Sequence, residues 1–306
     1  MDGLPIDALR PARICQQTLK SSIGCVGVGL HTGLRVAVTL RPAVAGHGIV
    51  FRRTDLGREI PARFDRVVEA RLSTAVVHPH DPAARVGTIE HVMAALAGTG
   101  IDNVLVELDG PELPILDGSS SPFVFLIDCA GIAEQDAPRP VIEMLRRVRV
   151  ADGDAWVELR PAAADGFHME LSIDFAATAI GRQSVSLRLT PESFRHQLCR
   201  ARTFALAEEI EQLRAAGLAR GGSLKNAVVV DRDRILNPGG LRMADEFARH
   251  KLLDAVGDLA LLGAGIRGRF RAHRSGHALN NRLLRALTDE PSSWRFASAE
   301  ALSAAA

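Results

Sequence analysis

The sequence predicts an α+β protein with a sandwich in each half. Three observations predict it. Strand patterns cluster ahead of helical ones in each half, instead of alternating strictly as βαβ units. The stretch Ala133-Glu-Gln-Asp-Ala-Pro-Arg-Pro140 is charged and proline-rich, and reads as a linker between the halves. The 306 residues suffice for two domains of ordinary size. The boundary is therefore expected near 135, giving domains 1–135 and 136–306.

Along the first half, residues 13–20 and 35–40 read as strands; Val36, Val38 and Leu40 alternate as a half-buried strand requires. Between them, Ser22-Ile-Gly-Cys-Val-Gly-Val-Gly-Leu-His-Thr-Gly33 reads as a tight hairpin needing unusual backbone angles, and His31 as a turn residue. Residues 49–53, 73–77 and 103–108 are further strands. Residues 88–97 read as a helix capped by Thr88 and stopped by Gly98, which puts Glu90 and His91 in its first turn. Residues 122–130 form a short apolar helix closed by Gly131.

In the second half, residues 141–150, 156–159, 169–175 and 184–189 read as strands. Helical patterns occupy 191–198 and 206–216, and a β-branched strand covers 227–230. Residues 245–262 read as one proline-free helix capped by Asp245. A strand at 269–273 and a helix at 278–287 complete the chain.

Composition limits the function. Hydrophobic residues make up 47% and charged ones 24%, a globular balance. The formal net charge of +1 and the absence of tyrosine offer no footprint or stacking surface for nucleic acid. No segment has the length and apolarity of a membrane span, and the first twenty residues lack a signal-peptide core. The four scattered cysteines form no C-x-x-C pair and read as buried free thiols of a cytoplasmic protein. G-x-S-x-G, the phosphate-binding P-loop and H-E-x-x-H are all missing, which disfavours serine hydrolases, P-loop enzymes and ordinary zincins.

The chemistry concentrates in two places. In the 245–262 helix, ~100° per residue brings His250, Asp254 and Asp258 to one side and Leu252, Val256 and Leu259 to the other. His250 and Asp254, four residues apart, can reach one metal ion; the same spacing also fits a surface helix with ordinary charges. His91 would complete a three-ligand site with one open position. Glu90, diverging by ~100°, would hang beside it as a base. Equally, Glu90 fits a helix-end charge and His91 a packed ring. Two histidines and one aspartate suit zinc, with Fe(II) as the competitor. His277 lies at a loop-to-helix junction where a cationic imidazole could serve an oxyanion, with Asp258 as its partner. Thr203 offers a hydroxyl or a cap; Lys251 follows His250, points away from the ligand face on helix geometry, and either reaches substrate or is solvated.

The motifs run in order through nearly the whole chain. They are Gly27-Val-Gly-Leu-His-Thr-Gly33, Arg52-Arg-Thr-Asp55, Thr88-Ile-Glu-His91, Ala94-Ala-Leu-Ala-Gly98, Gly100-Ile-Asp-Asn103, Pro114-Ile-Leu-Asp-Gly-Ser119 and Ala201-Arg-Thr-Phe204. Glu246-Phe-Ala-Arg-His-Lys-Leu-Leu-Asp-Ala-Val-Gly-Asp-Leu259 and Ser275-Gly-His-Ala-Leu-Asn280 follow. Together they resemble the zinc-dependent UDP-3-O-acyl-N-acetylglucosamine deacetylases of Gram-negative lipid A synthesis. That resemblance implies hydrolysis of the N-acetyl group of an acylated UDP-GlcNAc, the committed step of the pathway. It implies zinc on His91, His250 and Asp254, with Glu90 as general base. His277, backed by Asp258, would be the protonated partner of the leaving amine. Thr203 would donate to the intermediate, and Lys251 and Phe204 would touch the sugar nucleotide. The implied architecture is two similar two-layer sandwiches facing each other across the site. A βαβ insert at about 206–230 would form an acyl-chain passage lined by Leu213, Leu218 and Leu224. The segment 78–86 has no clear counterpart in the pattern.

Two other readings stay open on sequence: a metal-dependent amide hydrolase with another substrate, and a sugar-nucleotide-binding module with a structural zinc. The small apolar residues of 298–306 suggest a grip for an ATP-dependent protease; a plain frayed tail fits equally.

Overall fold

The computed structural model describes residues 15–297. The 298–306 stretch read above as a protease grip lies outside them.

The first half is built on a five-stranded sheet ordered Ile23–Val28, Arg35–Pro42, Val104–Leu108, Ile49–Arg53 and Arg58–Pro61. The alternation of Val36, Val38 and Leu40 is real: all three are buried while their neighbours are less so. Only the end of the glycine-rich stretch is the expected turn, with the Gly29 amide donating to the Leu34 carbonyl at 2.9 Å; its first half is a strand, Ile23–Val28, antiparallel to Arg35–Pro42 with Val28 opposite Arg35. Residues 78–86 resolve into a hairpin of Ala75–His78 and Asp81–Val86, part of a three-stranded sheet with Val67–Val68. Two helices, Glu90–Thr99 and Ser121–Ala130, share the apolar core with the large sheet.

The second half carries a seven-stranded sheet. Gly265–His273 runs through its middle, antiparallel to Ala155–Arg160 and parallel to Val141–Met144 and Phe167–Asp174. The helices Glu246–Ala260 and His277–Asp289 pack on this sheet. Glu246–Ala260 is buried on nearly every side, because its other flank packs against Glu90–Thr99. The surface-helix alternative therefore fails. Leu252, Val256 and Leu259 sit in the core as their spacing required. Buried apolar side chains of both halves form one continuous cluster.

Several local expectations need correction. The stretch read as a linker is a strand, Ile132–Pro138, antiparallel to Cys15–Leu19 with Leu19 opposite Ile132. Its polarity reflects a narrow two-stranded ribbon with solvated positions, and Gln135 is held by Asn103 and the Ala43 carbonyl. The strand expected over 141–150 is two strands, Val141–Met144 and Val148–Asp152, interrupted where Leu145 and Arg146 donate to the Ser293 carbonyl. Thr88 caps nothing: it sits at a positive φ of 54° and gives its hydroxyl to Glu112. The helix ends at Gly100 (φ 86°), not Gly98. Gly98 is instead a close-approach site, where a Cβ would stand 2.3 Å from the Phe194 ring. Asp245 makes no side-chain cap and pairs with Arg249. All four cysteines are free, but only Cys199 is buried.

Phe204–Leu206 lies parallel to Val228–Asp231, and the helix Ala207–Ala215 connects them, so a βαβ unit occupies the expected place. No described helix is long and apolar enough to cross a membrane.

Candidate metal centre

The Glu90–Thr99 and Glu246–Ala260 helices bring the two motifs together. Contact this close needs a missing side chain: a Cβ on Gly257 would stand 2.1 Å from the Glu90 carbonyl oxygen. With glycine there, the first turn of one helix rests on the middle of the other. His91, His250 and Asp254 then offer ligand atoms within 4.8 Å of one another, all buried. The Nε2 atoms of His91 and His250 lie 3.7 and 3.4 Å from Asp254 Oδ1, and the rings stand edge to face with centroids 5.1 Å apart.

Three features of the chain fit a cation at this point. Asp254 Oδ1 is buried with no hydrogen-bond donor among the described residues, a costly state for a carboxylate oxygen. His250 Nδ1 donates to the Ala201 carbonyl at 3.0 Å, which fixes the tautomer and aims the lone pair of Nε2 into the cluster. Burial, with His250 beside it, lowers the His91 pKa to about 3; burial lowers that of His250 as well, so both rings are neutral, as ligands must be. Burial alone would raise Asp254. His250, Lys251 and His277 beside it outweigh that and hold the carboxyl well below its ordinary range. The Lys251 ammonium donates to the other oxygen, Asp254 Oδ2, at 3.0 Å, and does not point away as the helix geometry suggested.

Glu90 and His277 face each other across this cluster, Nε2 to Oε1 at 4.0 Å. Burial pushes the Glu90 carboxyl up to about 7; His277 opposes the rise and Asp254 adds to it. Burial disfavours the charged form of His277, but Asp258, bonded to Nδ1 at 2.9 Å, and the carboxylates of Glu90 and Asp254 raise it to about 9. The raised values make the Glu90 carboxylate a stronger proton acceptor than an ordinary one and favour the protonated form of the His277 imidazole.

Sequence reasoning missed the groups that hold this pair. The Thr74 amide donates to Glu90 Oε2 at 3.0 Å, and its hydroxyl to Asp258 Oδ1 at 2.6 Å. Asn280 donates to Asp258 Oδ2 at 2.8 Å. Asn280 lies one helical turn after His277 on the same helix, which was a readable signal; Thr74 arrives from a distant strand end and gave none.

A cavity of about 790 Å³ opens over the cluster, within the range of small-ligand sites. Thr203, Phe204, Lys251, Arg274 and Arg282 line it, together with the apolar Leu206, Ile210, Leu213, Leu224 and Val229. Phe204 stacks edge-on with Phe175 and Phe247, at 5.5 and 4.9 Å between centroids. His31, read from sequence as a turn residue, sits in the hairpin as expected, but its ring lines this cavity with both nitrogens unpartnered among the described residues. Leu218, expected in the same passage, lines an adjoining cavity instead.

The comparisons with known proteins agree with this geometry. The LpxC family model, described as UDP-3-O-acyl N-acetylglycosamine deacetylase, matches residues 16–289. A curated UDP-3-O-acyl-N-acetylglucosamine deacetylase from Actinobacillus succinogenes is 49% identical over 94% of this chain and 94% of its own. Proteins of the same name from Myxococcus xanthus (49% identity, 94% of this chain and 91% of its own) and Acidithiobacillus ferrooxidans (50%, 92% and 93%) are similarly related. With the match covering nearly the whole chain, this protein belongs to the UDP-3-O-acyl N-acetylglycosamine deacetylase family.

Proposed function

We propose that this enzyme hydrolyses the N-acetyl group of UDP-3-O-acyl-N-acetylglucosamine, releasing acetate and the free 2-amino sugar for lipid A synthesis. The observation that carries the reading is the convergence of His91, His250 and Asp254 beside Glu90 and His277 under one cavity. Three protein ligands leave a coordination position free, which separates a catalytic site from a structural zinc site.

Zinc is the ion we assign to His91, His250 and Asp254. When bound, it would supply Lewis acidity toward water and the acetyl carbonyl. Glu90 removes a proton from the attacking water, whose oxygen bonds to the acetyl carbon. Thr203 donates to the oxygen that becomes negative. His277 stabilises that charge and then protonates the departing nitrogen as the C–N bond breaks. Asp258 keeps His277 protonated and oriented. Lys251 and Phe204 contact the sugar nucleotide, and the leucine-lined flank takes the acyl chain. In this reading the halves 1–135 and 136–306 each contribute one side of the site. Four free thiols support a reducing, cytoplasmic setting.

The test is deacetylation of acylated UDP-GlcNAc, with a simple N-acetyl amino sugar as control. Turnover of the first substrate should vanish with a chelator and return with zinc. Equal turnover of both substrates would favour a general amide hydrolase instead.

A further inference from the structure

A second cavity of about 650 Å³ adjoins the first, and His31, Ala70 and Thr88 line both. Arg71, Arg85 and Arg220 line it, and all three are exposed. None of these guanidiniums has a hydrogen-bond or ion-pair partner among the described residues. The carboxylates nearby do not neutralise them. Glu112 is buried and already accepts from the His31 and Thr32 amides and the Thr32 and Thr88 hydroxyls, which leaves Glu69 as the single exposed acid of the lining.

Apolar side chains share this surface. Leu34 lines the same cavity and is 57% exposed; Leu72, beside Arg71, is 57% exposed and lines the first cavity. The segment carrying Arg220 is fastened to the hairpin that carries Leu34, through the Arg220 amide on His31 O and the Gly221 amide on Leu30 O. The three arginines and Leu34 therefore line one cavity, and Leu72, next to Arg71 in the chain, lines the apolar-rich cavity that adjoins it. A site for a dissolved anion needs the guanidiniums but not the exposed leucines. An anionic bilayer uses both, with headgroup phosphates for the cations and the acyl boundary for the leucines.

We propose that the face formed by Leu34, Arg71, Leu72, Arg85 and Arg220 docks on the anionic headgroups of a lipid bilayer and turns the cavity mouth toward the membrane surface. The contact is reversible and peripheral. It goes beyond the proposed reaction and does not depend on it.

The test is co-sedimentation of the full chain with vesicles, using phosphatidylcholine alone or mixed with phosphatidylglycerol. Binding is expected with the anionic vesicles at low salt and should weaken as salt rises, because exposed charges are screened. Each arginine near such a surface contributes on the order of fivefold in partitioning, so the Arg71→Glu/Arg220→Glu double variant should lose on the order of 100-fold or more. Leu34→Ser, which keeps every charge, should weaken binding at constant salt. An unchanged Tm and unchanged turnover of a short-chain soluble substrate verify that the variants are folded. Absence of wild-type binding to anionic vesicles, equal binding to both vesicle types, or full binding by the double variant would overturn the proposal. So would a Tm increase with inorganic phosphate that the double variant loses while no vesicle is bound, because the site would then serve a small anion.

Discussion

Gly257 rests against the carbonyl oxygen of Glu90 so closely that a Cβ there would stand 2.1 Å away. The contact is backbone on backbone, so it cannot be relieved by a rotamer change. It sets the spacing between the helix bearing Glu90 and His91 and the helix bearing His250, Asp254 and Asp258.

Gly257→Ala must push these helices apart. Overpacking of a closed contact costs about 1–3 kcal/mol. The displaced histidine should also lower metal affinity by about 10- to 100-fold, as loss of a supporting group does. Tm and metal content of the purified variant measure both. A variant with normal values of each would show that the helix spacing is not what holds the ligands in place.

Glu90 and His91 are adjacent but should fail differently. Glu90→Ala should retain metal and lose about 10²- to 10⁴-fold in turnover. His91→Ala should lose metal first, seen by elemental analysis before any assay. Near-normal turnover in Glu90→Ala would remove the assigned base.

His277 should set the alkaline side of the pH profile. Its pKa is raised to about 9, so its protonated form persists to that pH in the free protein and declines above it. A bound cation would move the limb lower, since like charge disfavours the imidazolium. Asp258→Asn removes the nearest carboxylate and should shift the alkaline limb of kcat downward. A limb that stays in place in that variant would mean that another group sets it.

Glu246 has a structural role that pH can expose. It is fully buried and accepts from the Arg202 amide, from Arg202 Nε and Nη2, and from the Arg242 amide. Burial alone would raise its pKa; these bonds outweigh it and lower the pKa below the ordinary 4.5. Its stabilisation is therefore present above about pH 4.5 and lost as pH falls through the folded-state value. Glu246→Gln should cost about 3–5 kcal/mol at neutral pH, because Arg202 stays buried without a counter-charge. The variant's stability should also change less with pH below that point. Denaturant midpoints across the acid range decide it; parallel curves for both proteins would refute the assignment.

The helices were readable because their evidence is local. Spacing alone put His250, Asp254 and Asp258 on one side of a helix and Leu252 and Val256 on the other, and both sides lie where that period requires. The turn within Ser22–Gly33 and many strands were equally visible, but the strand Ile23–Val28 leading into that turn was not. Edge elements were not: Ile132–Pro138 has the composition of a linker, and only its pairing with Cys15–Leu19 makes it a strand. Caps failed for a related reason. Asp245 stands at the cap position but its side chain pairs with Arg249, and Thr88 lies one residue before the cap, Ile89, with its hydroxyl on Glu112.

The sequence by itself determined the α+β class, the ligand types and the i, i+4 face that carries two of them, because periodicity and residue chemistry act within one helix. Only the tertiary structure decided that His91 reaches that face, that Thr74 and Asn280 grip Asp258, and that Lys251 turns inward. Those relationships join different elements, 22 residues apart for Asn280 and Asp258 and 184 for Thr74 and Asp258, or depend on burial; they arise from how the helices pack, in part where a glycine lets two backbones touch.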